Sequence, residues 1–315
     1  MLDILGITTP IFILIGLGYL ATRLNITSRE QVQGIGSFVL YFALPALVIR
    51  ALSEQPLEEV VHVGYLLAYG LGSLLVFVLA LLVTRIWQRK SLTASAIHAL
   101  GMTASNSGFI GYPVALMALG SPAAVFLALN MLVENLLIIP AALILAELGS
   151  QGGASIGTAL RQTALRLLRN PILIGLAAGL VLAVSGSSLP EPLQRVIDML
   201  ATAAAPAALF VIGGALCGLK PRGMVSDIGQ IAIGKLILHP LAILIMILLL
   251  PPMDPLLIAG ALLFACAPMI SVYPLLGHRY GVGDISAAAM MVTTLTSFIT
   301  LSLAIWLMSQ AGLLS

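Results

Sequence analysis

Residues Asn106–Pro113 read NSGFIGYP and interrupt an otherwise apolar stretch that runs from Thr93 to Leu119. Proline removes a backbone donor and clashes with the preceding helical turn, and glycine adds flexibility. Asparagine and serine offer their side chains to the backbone groups that a broken helix leaves free. The stretch therefore predicts a membrane helix that is broken near its centre.

A second interruption lies at Cys266–Pro274, which reads CAPMISVYP and contains two prolines. A shift of 161 residues brings Tyr112-Pro113 onto Tyr273-Pro274. The same shift aligns four further pairs, namely Pro10 with Pro171, Gly18 with Gly179, Pro45 with Pro206, and Ala46 with Ala207. Two interrupted spans at corresponding positions of an internal repeat are the best sequence indication of a transport site.

The composition excludes a soluble globular protein. Sixty per cent of the 315 residues are hydrophobic and only 8% are charged, against about 25% charged in soluble proteins. The apolar runs are nearly continuous rather than alternating, which favours helices over an outer-membrane barrel. Because a span needs about 20 apolar residues, we predict ten spans. They are Ile4–Leu24, Val32–Leu52, Val60–Ile86, Thr93–Leu119, Ala123–Ala146, Leu168–Ser185, Leu193–Cys217, Ile228–Leu250, Leu256–His278 and Ile285–Met308.

Other features exclude several classes of function. The net charge of +2 is too small to indicate a nucleic-acid partner, and two cysteines in apolar surroundings form no disulfide framework. No spacing resembles a metal site or a catalytic triad, so we expect neither a cofactor nor an enzyme. The opening MLDILG has no basic segment and no cleavage signature follows it, which predicts a retained first helix.

Basic residues fall mainly in one set of alternate loops, and by the positive-inside rule these loops are cytoplasmic. We therefore expect a multi-pass protein of the cytoplasmic membrane with both termini outside. The cytoplasmic set comprises Arg23, Arg29, Arg85, Arg89, Lys90, Arg161, Arg166, Arg169, Lys220, Arg222 and Arg279. The opposite loops hold Arg50, Arg195, Glu54, Glu58, Glu59, Glu191 and Asp254.

The repeat predicts the organisation of the chain. Residues 1–147 form a first five-helix repeat, residues 148–167 a cytoplasmic connection, and residues 168–315 a second repeat. Because five is an odd number, the second copy enters the membrane in the opposite orientation. This gives an all-α, five-plus-five inverted repeat, an architecture of many secondary transporters.

Five stretches of the chain resemble the auxin efflux carrier family, the bacterial relatives of the plant PIN-FORMED carriers. They are FALPALVIRAL (42–52), NSGFIGYPVALMALG (106–120), RNPILIGLAAGL (169–180), AAAPAALFVIGGAL (203–216) and PLLGHRYGVGDISAAAMMVTTLTS (274–297). The resemblance covers essentially the whole chain. It implies a scaffold of helices 1, 2, 6 and 7 and a transport domain of helices 3–5 and 8–10, in which helices 4 and 9 cross. It also implies that small organic anions are carried, and it allows a homodimer.

We expect the substrate at this crossover. Asn106 is a candidate contact, although its amide could instead cap broken backbone. Tyr112 and Tyr273 either line the site or pack inside the domain with a satisfied hydroxyl group. The candidate residues are Asn106, Ser107, Gly108, Tyr112, Pro113, Pro268, Ser271, Tyr273 and Pro274.

Ionisable residues inside spans are costly and are functional candidates by default. Glu134 follows Asn130 by four residues in the fifth span, and His239 follows Lys235 by four in the eighth. One hypothesis is that Glu134 and Lys235 form a buried ion pair, or a near pair bridged by water or by Asn130. A second is proton coupling through Glu134, with His239 able to titrate near neutral pH. A third is that Lys235 extends to the interface while Glu134 is protonated and inert.

The sequence therefore predicts a secondary transporter of a small organic anion, a carboxylate such as malonate or an auxin-like acid, working by alternating access in a lipid bilayer. Two alternatives stay open at this point. One is a sodium- or proton-coupled carrier of the bile-acid-carrier type, because that family has a similar architecture and a fold does not determine coupling. The other is a channel or sensor on the same fold.

Overall fold

A computed structural model describes residues 2–53, 62–150, 156–185, 189–217 and 225–314. Glu54, Glu58, Glu59, Lys220 and Arg222, which were used above to orient the chain, lie outside these ranges. The described residues contain helices and no strands, apart from one isolated bridge between Ser105 and Met269. The helices are α1 (Leu2–Arg23), α2 (Arg29–Ser53), α3 (Val63–Trp87), α4 (Leu92–Thr103), α5 (Ser107–Leu119), α6 (Ala123–Gly149), α7 (Ile156–Leu168), α8 (Pro171–Ser185), α9 (Glu191–Leu216), α10 (Val225–Leu249), α11 (Pro255–Cys266), α12 (Tyr273–Arg279) and α13 (Gly283–Gln310).

The helices confirm an all-α membrane protein. Within the described ranges, six helices are long and apolar enough to cross a membrane, namely α2, α3, α6, α9, α10 and α13. Shorter apolar helices lie at Thr9–Arg23, Ser107–Leu119, Pro171–Ser185 and Pro255–Cys266. The predicted fourth span is divided between α4 and α5, and the ninth between α11 and α12. The count of ten spans stays a prediction.

Helix α7 was not anticipated from the sequence, which assigned residues 148–167 to a connection. Ile156–Leu168 is helical and carries Arg161 together with exposed Leu160 and Leu165. The apolar stretch within residues 148–167 is too short for a membrane span, and its basic residues suggested a loop. A short helix that carries both charged and apolar residues lies more readily along the membrane surface than across the membrane.

Side-chain caps start several helices. The Ser28 hydroxyl group accepts a hydrogen bond from the Gln31 N–H (3.2 Å), and the Gln31 side chain accepts one from the Ser28 N–H (2.7 Å). This reciprocal capping box satisfies donors that the first turn of α2 leaves unpaired. Asp254 similarly accepts from the Leu256 N–H (2.8 Å), with Pro255 in the first turn of α11.

A first group of helices packs with very short backbone separations. Helix α1 packs against α9, and α2 packs against α8 and α9. A Cβ added at Gly18 would meet the Phe210 carbonyl oxygen, and one added at Gly213 would meet the Ile15 carbonyl oxygen. Small residues allow this approach, which supplies the van der Waals contact that holds helices together in lipid.

A second group of helices contains both interrupted spans. Helix α3 packs against α4 and α10, and α13 packs against α10, α11 and α12. Helix α6 contacts α4 and α11. One polar link to the first group comes from Asn170, at the start of α8, whose amide nitrogen donates to Asn135 Oδ1 in α6 (2.8 Å).

Candidate transport site at the paired helix breaks

Two short non-helical segments lie in the second group. Break 1 comprises residues 104–106, between the end of α4 at Thr103 and the start of α5 at Ser107. Break 2 comprises residues 267–272, between α11 and α12. Asn106 caps α5, because its side-chain oxygen accepts a hydrogen bond from the Phe109 N–H (3.3 Å). Its side-chain nitrogen donates no hydrogen bond to any residue that the structure describes.

The backbones of the two breaks pair with each other. The Asn106 N–H donates to the Pro268 carbonyl oxygen (2.7 Å), and the Ile270 N–H donates to the Ala104 carbonyl oxygen (3.1 Å). Ser105 lies opposite Met269 in this short antiparallel bridge. Backbone groups freed by broken helices need partners in a membrane, and here each break supplies partners for the other.

Of the prolines that signalled the breaks, Pro268 lies within break 2, whereas Pro113 and Pro274 lie beyond the breaks. Pro113 follows a π-helical turn at Ser107–Gly111 and lies in the first turn of the α-helical part of α5. Pro274 is the second residue of α12. Proline is tolerated where its missing N–H has no helical partner to lose, and a π turn rearranges the preceding backbone. Only Asn106, of the stretch Asn106–Pro113, is itself non-helical.

The predicted site residues take different positions around the breaks. Asn106, Ser107, Gly108 and Pro268 are buried at the pairing itself, whereas Ser271 is half-buried. A Cβ added at Gly108 would meet Leu44 Cδ1 of α2 at 2.7 Å, so break 1 adjoins the first group of helices. Tyr112 and Tyr273 are both buried, and the Tyr273 hydroxyl group interacts with the side chain of Ser286 in α13.

Glu134 in α6 contacts break 1 and is 1% exposed. Its Oε1 atom accepts hydrogen bonds from the Ser105 N–H (2.8 Å), the Ser107 hydroxyl group (3.1 Å) and the Tyr69 hydroxyl group (3.4 Å). Its Oε2 atom is buried and has no hydrogen-bond partner. One oxygen of this carboxyl group thus accepts three hydrogen bonds, whereas the other accepts none.

Lys235 lies between the two breaks and is fully buried. Its ammonium group donates to Ser105 Oγ (2.7 Å), to the Ala265 carbonyl oxygen (2.9 Å) and to His239 Nδ1 (2.8 Å). These three partners use all three donors of an ammonium group. Ser105 belongs to break 1, and Ala265 lies two residues before break 2, so one positive charge contacts both interrupted spans.

Among the described residues, Glu134 and Lys235 make no direct ion pair; Ser105 joins them. The Ser105 N–H donates to Glu134, and the Ser105 hydroxyl group accepts from Lys235. The near pair that was one of the sequence hypotheses is therefore present with a different bridging residue, because that hypothesis named water or Asn130. Asn130 is fully buried and interacts with the Tyr65 hydroxyl group instead.

The network continues from Lys235 to α3. His239 Nε2 lies 2.9 Å from the Ser73 hydroxyl oxygen, and the Tyr69 and Ser105 hydroxyl groups are 3.0 Å apart. Tyr65, Tyr69 and Ser73, which sequence reasoning missed, recur at every fourth residue of α3 and are all fully buried. This spacing puts them on one helix face, and a polar stripe in an apolar span is a signal that could have found them.

The residues of the site are not arranged to chelate a metal ion. Within the described ranges, no group of three or more histidine, cysteine, aspartate or glutamate side chains is close enough to hold one. The arrangement instead offers one buried ammonium group, one buried carboxyl group and several hydroxyl and amide groups at the junction of two broken helices. Such a site is suited to hydrogen bonding a small charged solute.

Comparison with known proteins identifies the family of the chain. A family model described as "Membrane transport protein" matches residues 4–307. The chain belongs to this family of membrane transporters, the group related to auxin efflux carriers. It is a family of transporters rather than of enzymes, and the apolar helices agree with a multi-pass membrane protein.

Two relatives show how far the similarity extends. The chain is 32% identical over 317 residues to a protein of Rhizobium meliloti (strain 1021) named "Putative malonate transporter", covering 99% of this chain and 98% of that protein. It is 29% identical over 220 residues to the "Lysosomal cholesterol signaling protein" of Mus musculus, covering 64% of this chain and 24% of the mouse protein.

Proposed function

We propose that this membrane transporter is a secondary carrier of a small organic anion and that the anion binds at the paired breaks. The observation that carries this proposal is the position of Lys235, a fully buried ammonium group hydrogen-bonded to Ser105 in break 1 and to Ala265 beside break 2. A charge inside a membrane protein is expensive to bury. Placed where two helices are interrupted, it provides the positive potential that an anion requires.

The proposed substrate is a carboxylate such as malonate or an auxin-like acid. Asn106 has a side-chain nitrogen without a partner in the described structure and lies at the N-terminal end of α5, where backbone N–H groups favour an anion. The name of the Rhizobium meliloti relative supports malonate as the first compound to test. The family resemblance supports aromatic carboxylates as the second.

The proposed architecture is ten spans in two inverted five-helix repeats. Helix α2 begins at Arg29 and α9 at Glu191, while α3 ends at Trp87 and α10 at Leu249. Both separations are 162 residues, close to the 161-residue shift of the sequence repeat. The packing supports the same symmetry, since exchanging the repeats converts the α1–α9 contact into the α8–α2 contact.

The proposed mechanism is alternating access, in which the second group of helices moves as a transport domain against the first group as a scaffold. The proximity of Gly108 to Leu44 supports this division, because Gly108 lies in the first turn of α5, next to break 1, and Leu44 belongs to the first group. We further propose that the protein lies in the cytoplasmic membrane with both termini outside. A homodimer, which the family resemblance allows, completes the proposal.

Transport by purified protein in liposomes tests the function. We expect labelled malonate uptake that saturates with concentration and is accelerated by unlabelled malonate inside the vesicles. Uptake that rises linearly without exchange would indicate a channel instead. Failure of malonate, aromatic acids and other carboxylates either to be taken up or to compete would overturn the organic-anion assignment. Imposed sodium and proton gradients in the same vesicles separate the forms of coupling.

A further inference from the structure

We propose that Glu134 Oε2 is a proton-binding site that is loaded together with the substrate anion, so that the carrier moves the anion with a proton. This inference rests on the proposed function and specifies its coupling. The reaction is simple: a proton from solution binds the carboxylate, which becomes a carboxylic acid, and no other bond changes.

The hydrogen bonds of Glu134 are those of a carboxyl group that can carry a proton on one particular oxygen. Oε1 accepts from Ser105, Ser107 and Tyr69, whereas Oε2 has no partner although it is buried. A buried carboxylate normally needs hydrogen-bond donors at both oxygens. A proton on Oε2 removes that need, while Oε1 keeps all three of its donors.

The groups around Glu134 include neutral polar side chains. The Tyr65 hydroxyl group and the amide group of Asn130 are buried and interact with each other. Tyr65 lies close enough to interact with both Asn130 and Glu134, and Asn130 precedes Glu134 by one turn of α6. An unpartnered carboxyl oxygen in a native structure calls for an explanation, and proton loading at Oε2 provides one.

Among the titratable groups of this network, Glu134 is the one whose protonation changes the net charge of the site. His239 Nδ1 accepts from Lys235, so its ring carries no proton there and is neutral. The remaining titratable groups that face the network, Tyr65, Tyr69 and Cys266, are ordinarily neutral near neutral pH. Lys235 has three acceptors that favour its charged form.

Loading a proton therefore changes the total charge at the paired breaks. With Glu134 ionised, its negative charge offsets the positive charge of Lys235 through the shared Ser105. With Glu134 protonated, a positive charge stays beside both breaks, where a substrate carboxylate can compensate it. An anion and a proton thus stabilise each other in the site, which is thermodynamic linkage between two ligands.

Proton uptake during binding is the direct test. Malonate is added to purified wild-type protein in weakly buffered detergent, and the pH change is recorded beside the malonate affinity measured across a pH series. We expect uptake on the order of one proton per malonate bound, and a Kd that falls by up to about tenfold for each unit of decreasing pH. The measurement on wild type does not depend on whether any variant folds.

Two matched substitutions test whether the proton binds at Glu134. Glu134→Gln replaces the carboxyl group by a neutral amide of the same shape and should bind malonate with no proton uptake beyond that of malonate itself. Glu30→Gln makes the same change at an exposed residue of α2 and should behave as wild type. Because malonate ionises identically in every sample, the difference between the variants belongs to the protein.

The outcomes separate the two proposals. Proton uptake that is present in wild type and Glu30→Gln and lost in Glu134→Gln supports proton loading at Glu134. Malonate binding without proton uptake in wild type, or with full uptake in Glu134→Gln, overturns the inference and leaves the proposed function standing. Absence of saturable binding and uptake of every carboxylate tested in wild type overturns the proposed function and the inference with it.

Discussion

The Nδ1 atom of His239 lies 2.8 Å from the ammonium nitrogen of Lys235 one helical turn away. An ammonium group has no lone pair to offer, so the imidazole must accept here and carry its own proton on Nε2, from which it donates to Ser73 (2.9 Å). A histidine in an apolar span thus serves as a neutral acceptor that solvates a buried charge.

Replacing His239 by phenylalanine should destabilise the protein, because one ammonium N–H of Lys235 would be left buried and unpartnered. Such a loss costs about 1–3 kcal/mol, and more for a charged group. His239→Asn keeps an acceptor close to the Nδ1 position and should recover much of the loss. Thermal unfolding in detergent should rank the midpoints as wild type, then His239→Asn, then His239→Phe. Equal midpoints for the two variants would contradict this role for Nδ1.

Ser105→Ala should lower stability and malonate uptake together, because it removes the hydroxyl group that accepts from Lys235 and faces Tyr69. We expect a loss of about 1–3 kcal/mol in the free energy of unfolding. Ser95→Ala is the matched control, since Ser95 is a buried serine of α4 whose hydroxyl group has no partner. Its removal should be neutral or slightly stabilising. A control as damaging as Ser105→Ala would show that the hydroxyl network is not the cause.

Asn106→Asp separates capping from substrate binding. The aspartate keeps an oxygen that can accept from the Phe109 N–H, so the start of α5 should persist. It loses the side-chain nitrogen and adds a negative charge where an anion is proposed to bind. We expect near-wild-type thermal stability and malonate uptake reduced by about tenfold or more, equivalent to about 1.4 kcal/mol of binding free energy. Uptake at the wild-type level would remove Asn106 from the substrate site.

Gly18→Val should disrupt the contact between α1 and α9, because an added side chain meets the Phe210 carbonyl group rather than a movable side-chain end. Overpacking of this kind typically costs about 1–3 kcal/mol. Gly16→Val makes the same change two residues earlier in α1, where nothing lies within 4 Å of the added Cβ. Unfolding midpoints in detergent should fall for Gly18→Val only. A matching fall for Gly16→Val would attribute the effect to the helix itself.

Sequence reasoning found the features that depend on local chemistry. Each predicted span corresponds to a helix or to a pair of helices, because apolar length is a property of neighbouring residues. It also found Glu134 and Lys235, since a charge in an apolar run is conspicuous. The sequence placed the first break across Asn106–Pro113, whereas the helix has already resumed at Ser107. The π-helical turn at Ser107–Gly111 accommodates Pro113 within the helix.

What sequence reasoning missed depends on the packing of distant segments. Ser105 bridges to Lys235 across 130 residues, and Ser73 meets His239 across 166. Serine is common in membrane helices, where it also bonds to its own backbone, so neither residue stood out. The pairing of Ser105 with Met269 uses main-chain atoms, and main-chain pairing does not require a particular residue type that the sequence would reveal.

That pairing has a consequence for how such transporters diversify. The hydrogen bonds between the breaks join the backbones of Ala104, Asn106, Pro268 and Ile270. Side chains on these segments can therefore be exchanged during evolution without dissolving the junction that holds the broken helices together. Selectivity for the solute becomes a property that a few substitutions can alter while the framework persists, and the same freedom is open to protein engineering.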